Sequence, residues 1–167
     1  IVDFEDAAKS PARLSLQVKR SLTISKAKTN TDFRDIIRDS WATLKKSDFR
    51  INTDRYGVVV GSITRAKERA LKTLCDWARE SLSVEHFDAR FAPGGNASDD
   101  IKTVMNDIVA ILEDEAKGAS CTSEEAHRFL AHFVLIQFDF LREGATDPPD
   151  AINRIRDCLA PEDVPKA

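Results

Sequence analysis

The segment that most constrains this chain is Tyr56 to Ile63, where YGVVVGSI carries three consecutive valines and no charge. β-Branched residues favour extended backbone, and a strand apolar at successive positions must be buried on both faces. Parallel sheets covered by helices provide that setting, and their strands are joined by crossovers of a dozen residues or more. The preceding segment supplies one. In TNTDFRDIIRDSWATLKK, the residues Phe33, Ile36, Ile37, Trp41 and Leu44 recur at helical spacing behind a Thr/Asn/Asp start, which predicts an amphipathic helix over roughly 31–47.

Earlier still, RLSLQVKRSLTIS over 13–25 alternates with period two. Leu14, Leu16, Val18, Leu22 and Ile24 fall on one face and Ser15, Gln17, Lys19, Ser21 and Thr23 on the other, so a strand with one buried face is expected. Ile1 to Ala8 is apolar and acidic. Lys9-Ser10-Pro11-Ala12 has the turn chemistry to join it to the next strand as a hairpin, because Pro fixes φ and has no N–H to give to a ladder. A second helix is expected over roughly 64–82, with Ala70, Leu71, Leu74, Cys75, Trp77 and Ala78 as its apolar stripe.

Phe91-Ala-Pro-Gly-Gly-Asn-Ala-Ser98 is the strongest loop signal, and no strand pattern recurs beyond it. Ser98 is placed to cap a helix carrying Ile101, Val104, Met105, Ile108, Val109 and Leu112. Thr122 with Glu125 forms a capping box for a longer helix running through Leu141, and Asp150, after Pro148-Pro149, starts a last short one. Phe129 to Leu141 is apolar nearly all round, as in a fully buried helix or one that packs on further protein. The organisation expected is therefore an α/β unit over 1–84 and an α-helical extension or connector over 85–167.

Composition narrows the function classes. With 42% hydrophobic residues, 6 Gly and 6 Pro in 167, the chain is neither disordered nor collagenous, and its length suits one domain or one with an appendage. No run of about 18 apolar residues is present and no basic-then-apolar leader, so no membrane partner and a cytoplasmic location are expected. Ile1 opens the sequence and Met105 is its one methionine, so a start upstream is expected. Cys75, Cys121 and Cys158 are odd in number and show no CxxC spacing, which argues for reduced thiols rather than disulfides or zinc. His86, His127 and His132 lack HxxxH spacing, and Pro93-Gly94-Gly95-Asn96 lacks the Lys-Ser/Thr of a phosphate-binding loop.

The net charge of -3 hides a strong gradient. Residues 9–50 carry 11 Lys/Arg against 4 Asp/Glu, whereas residues 99–167 carry 7 against 15. A basic first part suggests an anionic partner. Just ahead of it, Asp3-Phe-Glu5-Asp6 precedes the strand on which Gln17 and Lys19 share a face, so a hairpin would bring a carboxylate, an amide oxygen and an ammonium into one small volume. Asp3, Glu5 and Asp6 all remain open for the acid, since a one-residue slip in register swaps the faces. Such a set suits metal-assisted phosphodiester hydrolysis by water. On the helix, Arg34, Arg38 and Lys45 line one side at spacings of four and seven, fit either to follow a phosphate backbone or, with Asp35 and Asp39 between them, to form ion pairs on a solvated face.

These residues resemble a known family. The acid, the (D/E/Q)xK tripeptide Gln17-Val18-Lys19 and the helix and parallel strand that follow look like the PD-(D/E)xK restriction-endonuclease-like fold, in the subgroup with Gln in place of Glu. More narrowly, FEDAA…LSLQVKRSLTIS…TDFRDIIRDSWATL is similar to the N-terminal nuclease domains of bacterial anti-phage defence effectors, the CBASS effector nucleases and Avs-type STAND proteins, over about residues 1–82. The resemblance implies a β-hairpin, helix, parallel strand, helix core and a Mg²⁺- or Mn²⁺-dependent DNA endonuclease. Asp6 would be the metal-binding acid, Gln17 the second ligand and Lys19 the catalytic lysine. It further implies double-stranded DNA as substrate, met by Arg20, Lys26, Lys28, Arg34, Arg38 and Lys45, and a homo-oligomer fused to a sensor or NTPase module. The alternative is a non-catalytic nucleic-acid-binding or helical protein-interaction module in which Gln17 and Lys19 do no chemistry.

Overall fold

A computed structural model describes residues 13–138. Within them the chain forms β1 (Leu14–Leu22), α1 (Thr31–Leu44), β2 (Arg55–Ile63), α2 (Arg65–Glu80), α3 (Val84–Asp88), α4 (Asp99–Glu115), α5 (Ser123–His132) and β3 (Phe133–Gln137). The expected first strand of a hairpin, Ile1–Ala8, lies outside the described residues, as does the short helix expected from Asp150.

The class is α/β. The three strands form one sheet in the order β1-β2-β3, parallel throughout, with Gln17 beside Val58 and Val58 beside Leu135. The valine-rich segment is the central strand, but it is fully buried on one face only: Tyr56, Val58 and Val60, which share that face, are at most 1% exposed, whereas Val59 on the other face is partly exposed, against the expectation of burial on both. Both helices expected in the first half form within a few residues of their sequence limits. Ser98 caps α4 by accepting from the Ile101 amide, and the Thr122/Glu125 capping box opens α5.

Two further expectations need correction. The helix expected to run through Leu141 stops at His132, and Phe133–Gln137 becomes a strand paired with β2. Phe133-Val134-Leu135-Ile136 is a short apolar run, and periodicity does not separate a buried strand from a buried helix turn. The open side of β2 decides it, since a parallel partner there satisfies backbone groups that would otherwise be buried without hydrogen bonds. So the C-terminal half contributes a strand to the sheet, and one core cluster draws on both halves, from Leu22, Phe33 and Val58 to Ile108, Phe129 and Phe133.

The second correction concerns β1. Its alternation is real, but Val18, on the expected buried face, is 73% exposed, while Gln17 and Lys19 turn towards α1. Strands laid down in the order 1-2-3 with crossovers of one hand carry their helices to the same side of the sheet. That side is the Gln17, Val58, Leu135 side. Tyr56 on it donates from its hydroxyl to the Phe129 carbonyl of α5 at 2.8 Å, and its ring packs against Phe129 and Phe133.

Asp54, at the entrance to β2, pins the strand start. Its buried carboxylate accepts from the backbone N–H groups of Arg13 (3.1 Å) and Arg50 (3.0 Å) and pairs with the Arg50 guanidinium. Burial alone would raise this acid, and the hydrogen bonds from Arg50 and Arg13 outweigh it, holding the carboxyl below its ordinary range. Among the described residues no helix is long and apolar enough to cross a membrane.

Candidate functional site

The site is built where α1 lies over β1. Residues two apart on a strand project to one face, which places Gln17 and Lys19 side by side beneath the helix. α1 answers with two carboxylates seven residues apart, two turns along one stripe. Gln17 Nε2 donates to Asp39 Oδ2 at 3.0 Å, and Lys19 Nζ donates to Asp32 Oδ1 at 2.6 Å. The first contact fixes the Gln17 amide and leaves its Oε1 without a partner among the described residues. The second is a short charge-assisted pair with the Lys19 side chain only 25% exposed.

Beside Gln17 a cleft of about 390 Å³ opens between β1, α1 and β2. Ser15, Gln17, Asp39, Ser40, Thr43 and Lys46 bring polar groups to a lining that is otherwise apolar, with Leu16, Ala42, Tyr56 and Gly57 in its wall. Ser40 is 5% exposed yet borders this space. Gln17 borders this cleft, whereas Lys19, paired with Asp32 further along the helix stripe, does not line it.

Gln17 and Lys19 therefore come together on one face. Asp6, with the other candidate acids Asp3 and Glu5, lies outside the described residues. Asp32 and Asp39, as partners of the QxK pair, escape sequence reasoning: their seven-residue spacing on α1 is the signal, and the nearby Arg34 and Arg38 offer each of them a closer partner. Among the described residues no group of three or more His, Cys, Asp or Glu is placed to hold a metal ion. Gln17 Oε1 is one neutral ligand, and the nearby carboxylates are engaged by Lys19 and Gln17. On their own the described residues do not fit a divalent cation.

The residues expected to meet DNA divide into two sets. Arg20, Lys26 and Lys28 are exposed around the C-terminal end of β1. Arg34 reaches across to Asp114 of α4 at 2.7 Å and donates to the Lys26 carbonyl. Arg38 pairs with Asp35 and Asp39, and Asp39 above all raises its guanidinium. Lys45 lies 4.2 Å from the centre of the Trp41 ring. These three form no continuous free stripe, because each already has a partner on the protein.

His132 is buried with Nδ1 2.8 Å from the Arg128 carbonyl and Nε2 2.8 Å from the Ile51 carbonyl, a strut between α5 and the loop before β2. Cys75 is buried and Cys121 half-buried, both as free thiols, while Cys158 lies outside the described residues. Compared with family models, curated proteins and solved structures, the chain matches none.

Proposed function

We propose that this chain is the DNA-cutting part of a metal-dependent endonuclease of restriction-endonuclease-like kind, acting in the cytoplasm in anti-phage defence as part of an oligomeric effector. The observation that supports it is the shared face of Gln17 and Lys19, with the lysine ammonium steered by Asp32 and the glutamine amide by Asp39, and with Gln17 at the edge of an open cleft. In phosphodiester hydrolysis by water, negative charge grows on the phosphorus oxygens, and a fixed ammonium there stabilises the transition state more than the ground state. Lys19 is the group for that work, and Asp32 positions it. Gln17 offers Oε1 to a positively charged group or a bound water. Mg²⁺ or Mn²⁺, where bound, would supply Lewis-acid activation of water and phosphate; its acid ligand in this reading is Asp6.

Lys19→Ala in the full-length protein is expected to abolish Mg²⁺-dependent cleavage of double-stranded DNA while the circular dichroism spectrum and thermal midpoint stay close to those of the parent. Unchanged cleavage overturns the assignment.

A second reading has its own observation. Lys19 and Gln17 both end on carboxylates of α1, and Arg34 and Arg38 are ion-paired, as in a non-catalytic binding or interaction module whose polar pairs hold helix to strand. Under it, Lys19→Ala loosens α1 and leaves any DNA affinity insensitive to Mg²⁺. Titrating DNA with and without Mg²⁺ separates the two.

A further inference from the structure

The cations of this protein are of two kinds. Lys19, Arg34, Arg38, Lys67 and Lys72 each face a carboxylate. Arg20, Lys26, Lys28, Arg65 and Arg69 are exposed and enter no ion pair among the described residues. Topology brings the second set to one edge. β1 and β2 run parallel and end side by side, with Ser21 beside Ser62 and Leu22 beside Ile63. Arg20 lies just before that end and Lys26 and Lys28 in the loop that leaves it, while Arg65 and Arg69 sit on the first turns of α2, directly after β2. α1 and α2 both start from this edge, so the partial positive charge of their N-termini adds to that of the side chains. Acids beside the edge are already matched: Asp32 by Lys19, Asp114 by Arg34, Glu68 by Lys72 and Asp100 by Lys67. The unpaired cations are therefore a local surplus of one sign.

The backbone that carries them is tied down. Asn30 Nδ2 donates to the carbonyls of Thr23 (2.8 Å) and Ser25 (3.1 Å), and Arg34, while paired with Asp114, donates to the Lys26 carbonyl at 3.0 Å. On the other side, Arg65 and Arg69, one helical turn apart, line a cleft of about 580 Å³ between α2 and the start of α4, where Thr73 and Ser98 add hydroxyl groups. Backbone held in this way loses little freedom when a ligand binds.

We propose, resting on the nucleic-acid partner of the proposed function but not on cleavage, that this carboxyl edge of the sheet holds a DNA duplex by its phosphates, with Arg65 and Arg69 as contacts alongside Arg20, Lys26 and Lys28. Guanidinium groups meet phosphate oxygens with paired N–H donors. Cations spread over the ends of two strands and a helix suit a polyanion of regular charge spacing better than one small anion. The contact moves away from α1, whose Arg34 and Arg38 are ion-paired, and gains two residues of α2. Lys19 neighbours Arg20 on β1, so the group assigned to the chemistry lies beside this surface.

The test reads the anisotropy of a fluorescently labelled DNA duplex titrated with the whole chain in EDTA, where metal-dependent hydrolysis is silent. Each phosphate contact adds about 0.9 to the fall of log K with log salt. Arg65→Gln combined with Arg69→Gln is expected to lower that slope by about 1.8 and to weaken binding on the order of fiftyfold at about 100 mM salt. Both side chains are exposed, so the thermal midpoint should stay that of the parent. Arg128→Glu makes the same change in net charge on α5, which leads into the start of β3 at the opposite edge, and should alter affinity less than about threefold because salt screens distant charge. Equal losses in the two variants, an unchanged slope in the double variant, or a parent that does not bind the duplex overturns the proposal. So does capture of the chain by phosphatidylserine vesicles in preference to DNA, which assigns the edge to a membrane surface. The cleavage reading stands or falls separately: unchanged cleavage in Lys19→Ala with lost binding in the double variant removes the nuclease and keeps this surface, and the reverse pair of results removes only the surface.

Discussion

Asp54 shows how much one side chain can determine. It is 1% exposed and gathers two backbone N–H groups, the Thr53 hydroxyl and the Arg50 guanidinium into one junction at the head of β2. Hydrogen bonds to a charged group are among the stronger ones, and removing their acceptor leaves buried donors unsatisfied. Asp54→Ala should therefore cost about 3 kcal/mol, read as a lower urea midpoint at unchanged slope. Its pH signature follows from the lowered carboxyl. A depressed acid contributes stability that is present above its unfolded value, about 3.9, and is lost as pH falls through the folded one. The parent should lose stability on acidification through that window, and Asp54→Ala should lose less. An identical acid limb in both would show that Asp54 does not carry it. Nothing in the local sequence marked this residue, because its partners Arg13 and Arg50 are brought to it by the sheet and the loop. Gln17 and Lys19 were legible for the opposite reason: two residues apart on a strand share a face whatever the rest of the chain does.

At the scale of elements, Gly57 decides how β2 and β3 meet. A Cβ built there would stand 1.9 Å from the Val134 carbonyl oxygen and 2.8 Å from the backbone carbon and nitrogen of Val134. A strand backbone cannot yield as a flexible side chain can, so Gly57→Ala should push β3 off the sheet and cost about 3 kcal/mol or more. Hydrogen exchange would show it, with the amides of Phe133–Gln137 losing protection before those of β1. Uniform loss across all three strands would mean that β3 pairing is not a separate step. The helices were readable because their stripes and caps are local: Ser98, Thr122 and Glu125 act on N–H groups within three residues. β3 was not, since a five-residue apolar run acquires its identity from the unpaired side of β2.

For the molecule as a whole, the layer of α2, α4 and α5 against the sheet forms a continuous interior. Cys75 is buried in that layer, and burial pushes its thiol up to about 12; Cys121, half-buried, is pushed up to about 11 by its burial and by Glu125 and Glu113. Thiolate is the reactive form, so both should label slowly at neutral pH. In a Cys158→Ser chain, Cys121 is expected to react first. Cys75 should react only through global unfolding, with a urea dependence equal to that of the equilibrium transition. Labelling of Cys75 at the rate of Cys121 would indicate that α2 opens by itself.

The sequence by itself determined the α/β class, four of the five helices, the central strand and the shared face of Gln17 and Lys19, because periodicity, capping and alternation act over a few residues. Tertiary structure alone decided that Phe133–Gln137 joins the sheet, that α1 covers the polar side of β1 and that Asp32 and Asp39 meet Lys19 and Gln17. Each of those depends on which surface another element leaves open, a contact between residues distant in the chain that local pattern does not encode.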